Sequence, residues 1–333
     1  MLTIEQLEAA CNSSEPVQLS RHEVEGPELS LAAMYYPFGF PVEVKSNSRR
    51  VLEQFEMMWG KFDKQHDTEP IRCEVQLVES SLTECPPEPT YRVMLPLMIV
   101  VADVDNYSIV DLDEGRVRMT ISDAALRYPL YVQYFLLGMP VSCIATRCST
   151  PVHAACVALD GRGVLLCGDS GAGKSTLSYA CARAGWTYMG DDSSFLLNGG
   201  TKRVVTGNCH QVRFRPSAVE LFQEIGDAEI TPRAAGKPSI ELPTAPMGIA
   251  CAPTMRVDFI VFLNRRAGTE QLVPYSKDVA RLFMRQILFG PADSLALQYE
   301  AIERLLTAPV FELRYTGVHW AIDRLRTLVQ EGQ

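Results

Sequence analysis

The segment Gly168–Ser175 reads GDSGAGKS and is the feature that most limits how this chain can fold. It has the spacing G-x-x-x-x-G-K-S of a phosphate-binding loop, which needs a strand before it and a helix after it. The apolar run Gly163–Cys167 predicts the strand. The alanine-rich stretch from Lys174 to Ala184, followed by Gly185, predicts the helix. We therefore expect a strand–loop–helix unit that binds a phosphate at the helix N-terminus.

The loop supplies the predicted nucleotide contacts. Its glycines let the backbone fold tightly, so that successive N–H groups point toward one anion. Lys174 is expected to reach the β- and γ-phosphates, and the Ser175 hydroxyl is expected to ligate Mg²⁺ that bridges them. The predicted nucleotide-binding residues are Gly168, Asp169, Ser170, Gly171, Ala172, Gly173, Lys174, Ser175 and Thr176.

Two adjacent carboxylates, Asp191 and Asp192, follow the apolar stretch Trp186–Met189 soon after the loop. If the strands before the loop and before the aspartates are neighbours, their carboxyl ends face one crevice, where ligands bind in open α/β sheets. Adjacent residues of an extended chain point to opposite faces, so we expect two roles. One carboxylate would face the metal and the phosphates. The other would face an incoming hydroxyl or would hold Lys174. The alternative is a turn, which Asp and Ser also favour.

Alternating strands and helices predict an α/β domain around a central mixed sheet over residues 149–333. The remaining elements expected there are strands at His153–Leu159, Ser194–Leu197, Val257–Leu263 and Phe311–Tyr315, and helices at Ala280–Leu288, Ala296–Leu306 and Trp320–Val329.

Residues 1–148 predict a smaller, mixed α+β domain without a recognisable chemical motif. Apolar residues at helical spacing predict helices over Thr3–Cys11 and Val51–Phe62. The stretch Tyr91–Ala102 is apolar and β-branched enough for one buried strand. Tyr107–Leu112 and Val117–Ile121 predict a hairpin.

Composition and charge exclude several classes of function. A chain of 333 residues, 47% hydrophobic and 21% charged, is globular in composition and long for one core. Its net charge of −9 argues against nucleic-acid binding, although a local nest of N–H groups can still bind phosphate. None of the ten cysteines forms a CxxC pair, which predicts free thiols in a reducing compartment. His153 and Cys156 lack the two further ligands that a zinc site needs.

The uncharged segment from Tyr128 to Thr146 is long enough to be weighed as a membrane span. Pro129 and Pro140 interrupt it, so a buried helix with a short crossing segment is the better interpretation. The N-terminus has no basic region followed by an apolar core, so we do not expect it to act as a signal peptide. We therefore expect a cytoplasmic protein with neither a membrane nor a nucleic-acid partner, and we expect a homo-oligomer.

Three features together resemble the HPr kinase/phosphorylase family, whose kinase domain belongs to the P-loop group related to phosphoenolpyruvate carboxykinases. They are Val152-His153-Ala154 before the loop, the loop with its Asp169-Ser170, and Gly190-Asp191-Asp192, at spacings similar to the family's. The resemblance covers residues 150–200 well and the rest of the second half only loosely. It implies a kinase that uses ATP and Mg²⁺ to phosphorylate a hydroxyl, with dephosphorylation as the reverse reaction.

The resemblance also implies a role for individual side chains. Asp191 would be the base that takes the proton from the attacking hydroxyl. Asp192 would support the metal together with Ser175, and would hold Lys174. His153 would lie near the phosphates; the other interpretation of this residue is a buried strand histidine with a satisfied hydrogen bond.

The chain departs from the family's pattern in two places. Thr176 stands where the family usually has glutamate, and the family's glycine-rich signature downstream of the aspartates is not recognisable. Instead, alternation over Asn208–Pro216 puts Arg213 and Arg215 on one strand face. The two arginines could clamp phosphates or an acidic substrate, or could belong to a solvated edge.

The departures make HPr itself a doubtful acceptor, so the expected acceptor is another hydroxyl, in a protein or a small molecule. Two alternatives stay open at this point. One is a nucleotide sensor without catalytic activity, and the other is a simple NTPase or a carboxykinase-like reaction on a small acid.

Overall fold

The structure is a computed structural model that describes residues 28–332 except 81–83, 129–130, 227, 229, 232–237 and 266–267. The chain divides into two compact units, one running up to Phe62 and from Asp67 to Arg147, the other from Cys148 onward together with Asp63–His66. We call them the N-terminal and C-terminal units. The helix predicted over Thr3–Cys11 lies outside the described residues.

The N-terminal unit is built on one mixed, seven-stranded sheet of order β1-β2-β3-β7-β6-β5-β4. Strands β2, β3 and β7 run parallel, and the other pairs are antiparallel. The strands are β1 Leu31–Tyr35, β2 Val42–Ser46, β3 Ile71–Val78, β4 Thr90–Met94, β5 Leu97–Asp103, β6 Asn106–Asp111 and β7 Arg116–Ser122. The helical elements are α1 Arg49–Trp59, 3₁₀ turns at Pro37–Gly39 and Ala125–Arg127, π-helical turns at Val132–Gly138 and Ile144–Cys148, and α2 Met139–Cys143 between them.

Helix α1 packs through Val51, Phe55 and Trp59, which are buried and spaced four residues apart. Phe55 stacks on Tyr35 of β1, with ring centroids 5.7 Å apart. This spacing puts the three side chains on one helix face, which is the physical reason for the helix predicted here.

The single strand predicted over Tyr91–Ala102 is wrong, because the chain forms two antiparallel strands there, β4 and β5. They are joined at Leu95-Pro96, where a proline has no N–H to donate to a continuous ladder. The hairpin predicted after them is confirmed, since β6 and β7 pair antiparallel. The segment Tyr128–Thr146 is helical over most of its length, and no helix in the described part of the chain is long and apolar enough to cross a membrane.

The C-terminal unit contains a mixed, nine-stranded sheet of order β11-β9-β10-β17-β13-β12-β8, in which β17 also pairs with β19, and β19 with β18. A three-stranded antiparallel sheet of order β14-β16-β15 accompanies it. The strands are β8 Ser149–Val152, β9 Ala154–Leu159, β10 Arg162–Cys167, β11 Thr187–Gly190, β12 Ser194–Leu197, β13 Val204–Gly207, β14 Gln211–Phe214, β15 Ile230–Thr231, β16 Ser239–Pro243, β17 Thr254–Asn264, β18 Gln271–Pro274 and β19 Val310–Arg314. The helices are α3 Lys174–Arg183, α4 Lys277–Arg285, α5 Ala292–Leu305 and α6 Val318–Glu331, with 3₁₀ turns at Pro216–Glu220, Gln223–Ile225 and Ala245–Met247.

Helices cover the centre of this large sheet on both faces. Val164 and Leu166 of β10 belong to the core formed with α3 and α6. Leu165 and Cys167, which alternate with them, belong to the core formed with α4 and α5. A strand buried on both faces has a continuous apolar sequence, as GVLLC does. Each strand and helix predicted for this half is present, with ends that differ by a few residues. None of the nine cysteines in the described part of the chain forms a disulfide.

The strands before the loop and before the aspartates, β10 and β11, are not neighbours. Strand β9 lies between them and is antiparallel to both. The tight turn at Asp160-Gly161 folds β9 back along one side of β10, and β17 takes the other side. Because β10 and β11 are both antiparallel to β9, their C-terminal ends meet the N-terminal end of β9 at one edge of the sheet.

Candidate nucleotide-binding site

Three separate segments of the chain meet at this edge of the large sheet. Cys167, the last residue of β10, pairs with Ala154, and Gly190, the last residue of β11, pairs with Cys156. His153 directly precedes β9, the loop Gly168–Ser175 directly follows β10, and the aspartates directly follow β11. The topology therefore brings together the three sequence features that carry the family resemblance.

The phosphate loop, which we define as Gly168–Ser175, has the backbone that its glycines predict. Gly168, Gly171 and Gly173 have φ angles of 146°, 93° and 100°, a region that favours glycine. A Cβ on Gly168 would lie 3.3 Å from the carbonyl oxygen of Leu263, and one on Gly173 would lie 2.6 Å from the Tyr315 hydroxyl. Helix α3 starts at Lys174, so the unpaired N–H groups of its first turn lie next to the loop.

The Lys174 side chain lies inside the loop, where it is only 6% exposed. Its Nζ atom donates to the carbonyl oxygens of Gly168 at 2.7 Å and Asp169 at 3.3 Å, and lies 2.8 Å from Nε2 of His153. Burial lowers the pKa of Lys174, and the nearby Asp192 carboxylate opposes that shift. The loop therefore holds one positive charge where the sequence predicts a phosphate.

His153 joins the phosphate loop to the second aspartate. Its Nδ1 atom lies 3.6 Å from Oδ1 of Asp192. Burial, and then the charge of Lys174, lowers the pKa of His153, while Asp192 opposes the shift. We assign the neutral tautomer from these partners: Nε2 accepts from Lys174, and Nδ1–H points toward Asp192.

Asp191 is buried beneath this edge of the sheet, with 7% of its surface exposed. Its Oδ2 accepts from the backbone N–H of Arg213 at 2.9 Å. The hydroxyls of Ser175 and Tyr188 lie near the same carboxylate and favour its charged form, and the Tyr188 hydroxyl donates to the carbonyl oxygen of Gln211 at 3.0 Å. Burial raises the pKa of Asp191 to about 6, although the Arg213 N–H hydrogen bond pulls in the other direction. The first aspartate thus faces the hydroxyl that is expected to ligate a metal.

Asp192 has different surroundings. Its side chain is 47% exposed, and its two oxygens face His153 Nδ1 at 3.6 Å and the Arg213 guanidinium at 3.5 Å. It lines the cavity above the phosphate loop, and Asp191 does not. Adjacent carboxylates therefore point in different directions, one into the protein and one into the cavity.

The cavity has a volume of about 350 Å³. Three cationic side chains face it, together with two carboxylates, and its apolar lining is limited to an alanine and a leucine. Such a lining suits a charged, phosphorylated ligand better than an apolar one. The lining residues are His153, Ser170, Gly171, Gly173, Lys174, Ser175, Thr176, Asp192, Arg215, Ser217, Ala218, Glu220, Leu221 and Arg265.

The small sheet places Arg213 over the aspartates. Val212 and Phe214 of β14 are buried, and Arg213 between them points the other way, as alternation predicts. Its guanidinium lies 3.8 Å from Glu241 Oε1 and 3.5 Å from Asp192 Oδ2. Arg213 therefore holds Asp192 and does not line the cavity.

Two other arginines do line the cavity. Strand β14 ends at Phe214, so Arg215 lies in the following turn, where its guanidinium donates to the Ser170 hydroxyl at 3.1 Å. Arg265, which the sequence interpretation missed, directly follows β17. Because β17 is parallel to β10, both strands end at the same edge of the sheet. An arginine separated by one residue from the core run VDFIVFL was the signal that could have identified it.

The residues present fit a magnesium ion bound jointly with phosphates. No group of three or more His, Cys, Asp or Glu side chains is placed to hold a metal within the described ranges. The hydroxyl of Ser175 does lie near the carboxylate of Asp191, and its proximity favours the charged form of that carboxylate. Mg²⁺ commonly takes one or two protein ligands and completes its octahedron with phosphates and water.

Comparison with known proteins gives similarities to solved structures alone. No model of a protein family matches the chain, and no curated protein matches it. The structure of the HPr(Ser) kinase/phosphatase from Coxiella burnetii is similar at 15% sequence identity and a TM-score of 0.32. The similarity covers 55% of this chain and 93% of that chain.

Proposed function

We propose that this chain is a kinase that uses ATP and Mg²⁺ to phosphorylate a hydroxyl, in a protein or a small molecule. One observation carries the proposal: the cavity above the phosphate loop is lined both by Lys174 and by the accessible carboxylate of Asp192. The loop by itself supports only nucleotide binding. A carboxylate in the same cavity supports transfer, because a phosphoryl acceptor must lose a proton close to the γ-phosphate.

The cationic groups of the cavity would bind and orient the phosphates. The loop N–H groups and the start of α3 form an anion-binding hollow, with Lys174 beside it. Arg215 and Arg265 face the same space from two other elements. Phosphoryl transfer needs little covalent help from a protein, so such positioning and charge neutralisation are the main contributions expected of it.

Ser175 and Asp191 would hold the Mg²⁺ ion. The ion supplies positive charge next to the β- and γ-phosphates when it is bound. Asp191 accepts from the Arg213 N–H, which restricts the orientation of its carboxylate, and the Ser175 hydroxyl lies near the same carboxylate. The two residues that would hold the ion therefore belong to the start of α3 and to the segment directly after β11.

Incubation of the purified chain with γ-labelled ATP, Mg²⁺ and a lysate of the encoding organism tests the proposal. We expect one labelled protein band or one labelled metabolite, absent when the same lysate receives the Lys174→Met variant. Wild-type protein that binds ATP, yet labels nothing beyond that control, would show that the chain is a nucleotide sensor and no kinase.

A further inference from the structure

We propose that the two aspartates have the reverse of the roles that the family resemblance implies: Asp192 takes the proton from the acceptor hydroxyl, and Asp191 serves the metal through Ser175. This inference rests on the proposed kinase function. The two carboxylates differ in burial and in their contacts, and these differences decide which of them an acceptor can reach.

Asp191 is poorly placed to receive a hydroxyl from the cavity. Only 7% of it is exposed, and it is not part of the cavity lining. Its carboxylate already accepts from the Arg213 N–H and contacts the hydroxyls of Ser175 and Tyr188. A general base must come within about 2.6–3.2 Å of the hydroxyl, or act through one water. An acceptor would have to displace these protein groups to reach Asp191.

The same contacts make Asp191 suitable for a metal. In P-loop enzymes the hydroxyl of the loop Ser or Thr ligates Mg²⁺, and an acidic residue at the end of a neighbouring strand supports the ion. Ser175 is that hydroxyl, and Asp191 is the carboxylate that lies near it. Asp191 also directly follows a strand that ends at the same sheet edge as β10.

Asp192 has the access that Asp191 lacks. Its side chain is 47% exposed and lines the cavity opposite the loop. Its contacts to His153 and Arg213 are long, 3.6 Å and 3.5 Å, and leave the carboxylate able to accept a further hydrogen bond. His153 and Arg213 are therefore positioning residues, which hold the carboxylate at the cavity wall.

His153 also lies between the Lys174 ammonium and the Asp192 carboxylate. Its Nε2 lies 2.8 Å from the Lys174 ammonium, and its Nδ1 faces Asp192. One imidazole thus separates the lysine expected on the γ-phosphate from the carboxylate proposed as base. An acceptor hydroxyl bound against Asp192 would lie beside the phosphate that it attacks.

The proposed step balances. The O–H bond of the acceptor breaks, and its proton moves to the Asp192 carboxylate. The acceptor oxygen forms a bond to the γ-phosphorus, and the bond from that phosphorus to the β,γ-bridging oxygen breaks. The electron pair of that bond leaves with ADP.

Two measurements on the full chain separate the roles. The first is the affinity for fluorescent ADP with and without Mg²⁺, and the second is label transfer from γ-labelled ATP to water and to the lysate. We expect Asp192→Asn to keep the Mg²⁺-dependent gain in ADP affinity within about twofold, and to lower transfer at least about 100-fold. Asp191→Asn should lose most of the Mg²⁺-dependent gain in ADP affinity, and so should Ser175→Ala. The variant that carries both Asp191→Asn and Ser175→Ala should lose no more of this gain than either single variant, because the two residues serve the same ion.

The outcomes distinguish this inference from the proposed function. If Asp192→Asn loses the Mg²⁺-dependent gain while Asp191→Asn keeps it, the assignment is overturned. Transfer by Asp192→Asn within about threefold of wild type would equally exclude Asp192 as the base. If wild-type protein binds ADP and Mg²⁺ but transfers label to nothing, both the kinase function and the role of Asp192 as base are refuted. The effect of Mg²⁺ on ADP affinity would still decide whether Asp191 serves the metal. Ser175→Ala leaves the buried carboxylate in place and tests only the hydroxyl ligand. If Asp191→Asn fails to fold, the Mg²⁺-dependent gain in ADP affinity of Asp192→Asn still decides the assignment, because that gain should be lost if Asp192 serves the metal.

Discussion

The Nζ atom of Lys174 lies 2.8 Å from Nε2 of His153, although the two residues belong to different strand ends of the large sheet. The contact exists because β9 runs antiparallel between β10 and β11, which puts His153, the residue directly before β9, beside the loop. The other ring nitrogen of His153 faces Asp192. A row of three polar side chains, Lys174, His153 and Asp192, therefore crosses the edge where nucleotide and acceptor are proposed to meet.

Replacing His153 by glutamine should affect transfer more than binding. The amide cannot contact Lys174 and Asp192 in the geometry of an imidazole, and a hydrogen bond to a charged group contributes about 1.5–3 kcal/mol. We expect transfer from γ-labelled ATP to fall about 10- to 100-fold, with ATP affinity within about threefold of wild type. His319→Gln, an exposed position on α6, is the control. Unchanged transfer with a lowered melting temperature would mean that His153 is only a buried strand histidine.

Lys174→Met should weaken ATP binding about 10- to 100-fold, because it removes the charge held inside the phosphate loop. Isothermal titration with ATP and Mg²⁺ measures the effect. Lys202→Met removes the same charge from an exposed turn and should leave ATP affinity unchanged. If both variants lost ATP affinity equally, the effect would come from the overall charge of the protein and not from the position of Lys174 in the loop.

Gly173→Ala should abolish measurable ATP binding. Its Cβ would lie 2.6 Å from the Tyr315 hydroxyl, so the loop would have to move, and its φ of 100° is unfavourable for alanine. Gly161→Ala is a matched control with φ of 76° and open space around the added atom. That variant carries only a backbone penalty of about 1 kcal/mol and should bind ATP normally. Normal binding by Gly173→Ala would mean that the loop does not hold the phosphates.

Local patterns were enough to predict the parts of the site that depend on short stretches of chain. The run GVLLC is buried on both faces, so it has no polar alternation, and the glycines of the loop have the φ angles that motif requires. Both features depend on neighbours within about ten residues. They are therefore visible without knowledge of the sheet order.

The features that no local pattern encodes depend on which strands pair, and one of them, the position of His153 near the phosphate loop, was expected only from the family resemblance. The insertion of β9 between β10 and β11 brings His153 against Lys174, and nothing near either residue encodes it. The different burial of Asp191 and Asp192 depends on β14, which belongs to another sheet. Arg265 reaches the cavity because β17 pairs with β10, almost a hundred residues away in sequence.

The stability of the chain should depend on pH through Asp191. Burial raises its pKa from 3.8 to about 6 in the folded protein, so the folded state holds this proton more tightly than the unfolded state. The resulting stabilisation is complete below the unfolded pKa and is lost as pH rises through about 6. Asp191→Asn does not ionise. Wild type therefore loses stability between pH 4 and pH 7, and the variant does not lose this contribution. We expect the free energy of unfolding of the variant minus that of wild type to increase by about 2–3 kcal/mol over this range. Urea unfolding across this range measures it, and a constant difference would contradict the expectation.

Arg215 and Arg265 should contribute to phosphate binding, although neither belongs to the motif. Both line the cavity, from the turn after β14 and from the end of β17, and their guanidinium groups suit phosphate oxygens. Arg215→Gln and Arg265→Gln should each weaken ATP binding about 3- to 30-fold and AMP binding much less, because the triphosphate reaches further along the cationic lining. Arg50→Gln, exposed on α1, is the charge-matched control. Equal losses for ATP and AMP would place these arginines near the sugar or the base, and no loss for ATP would show that they belong to a solvated edge.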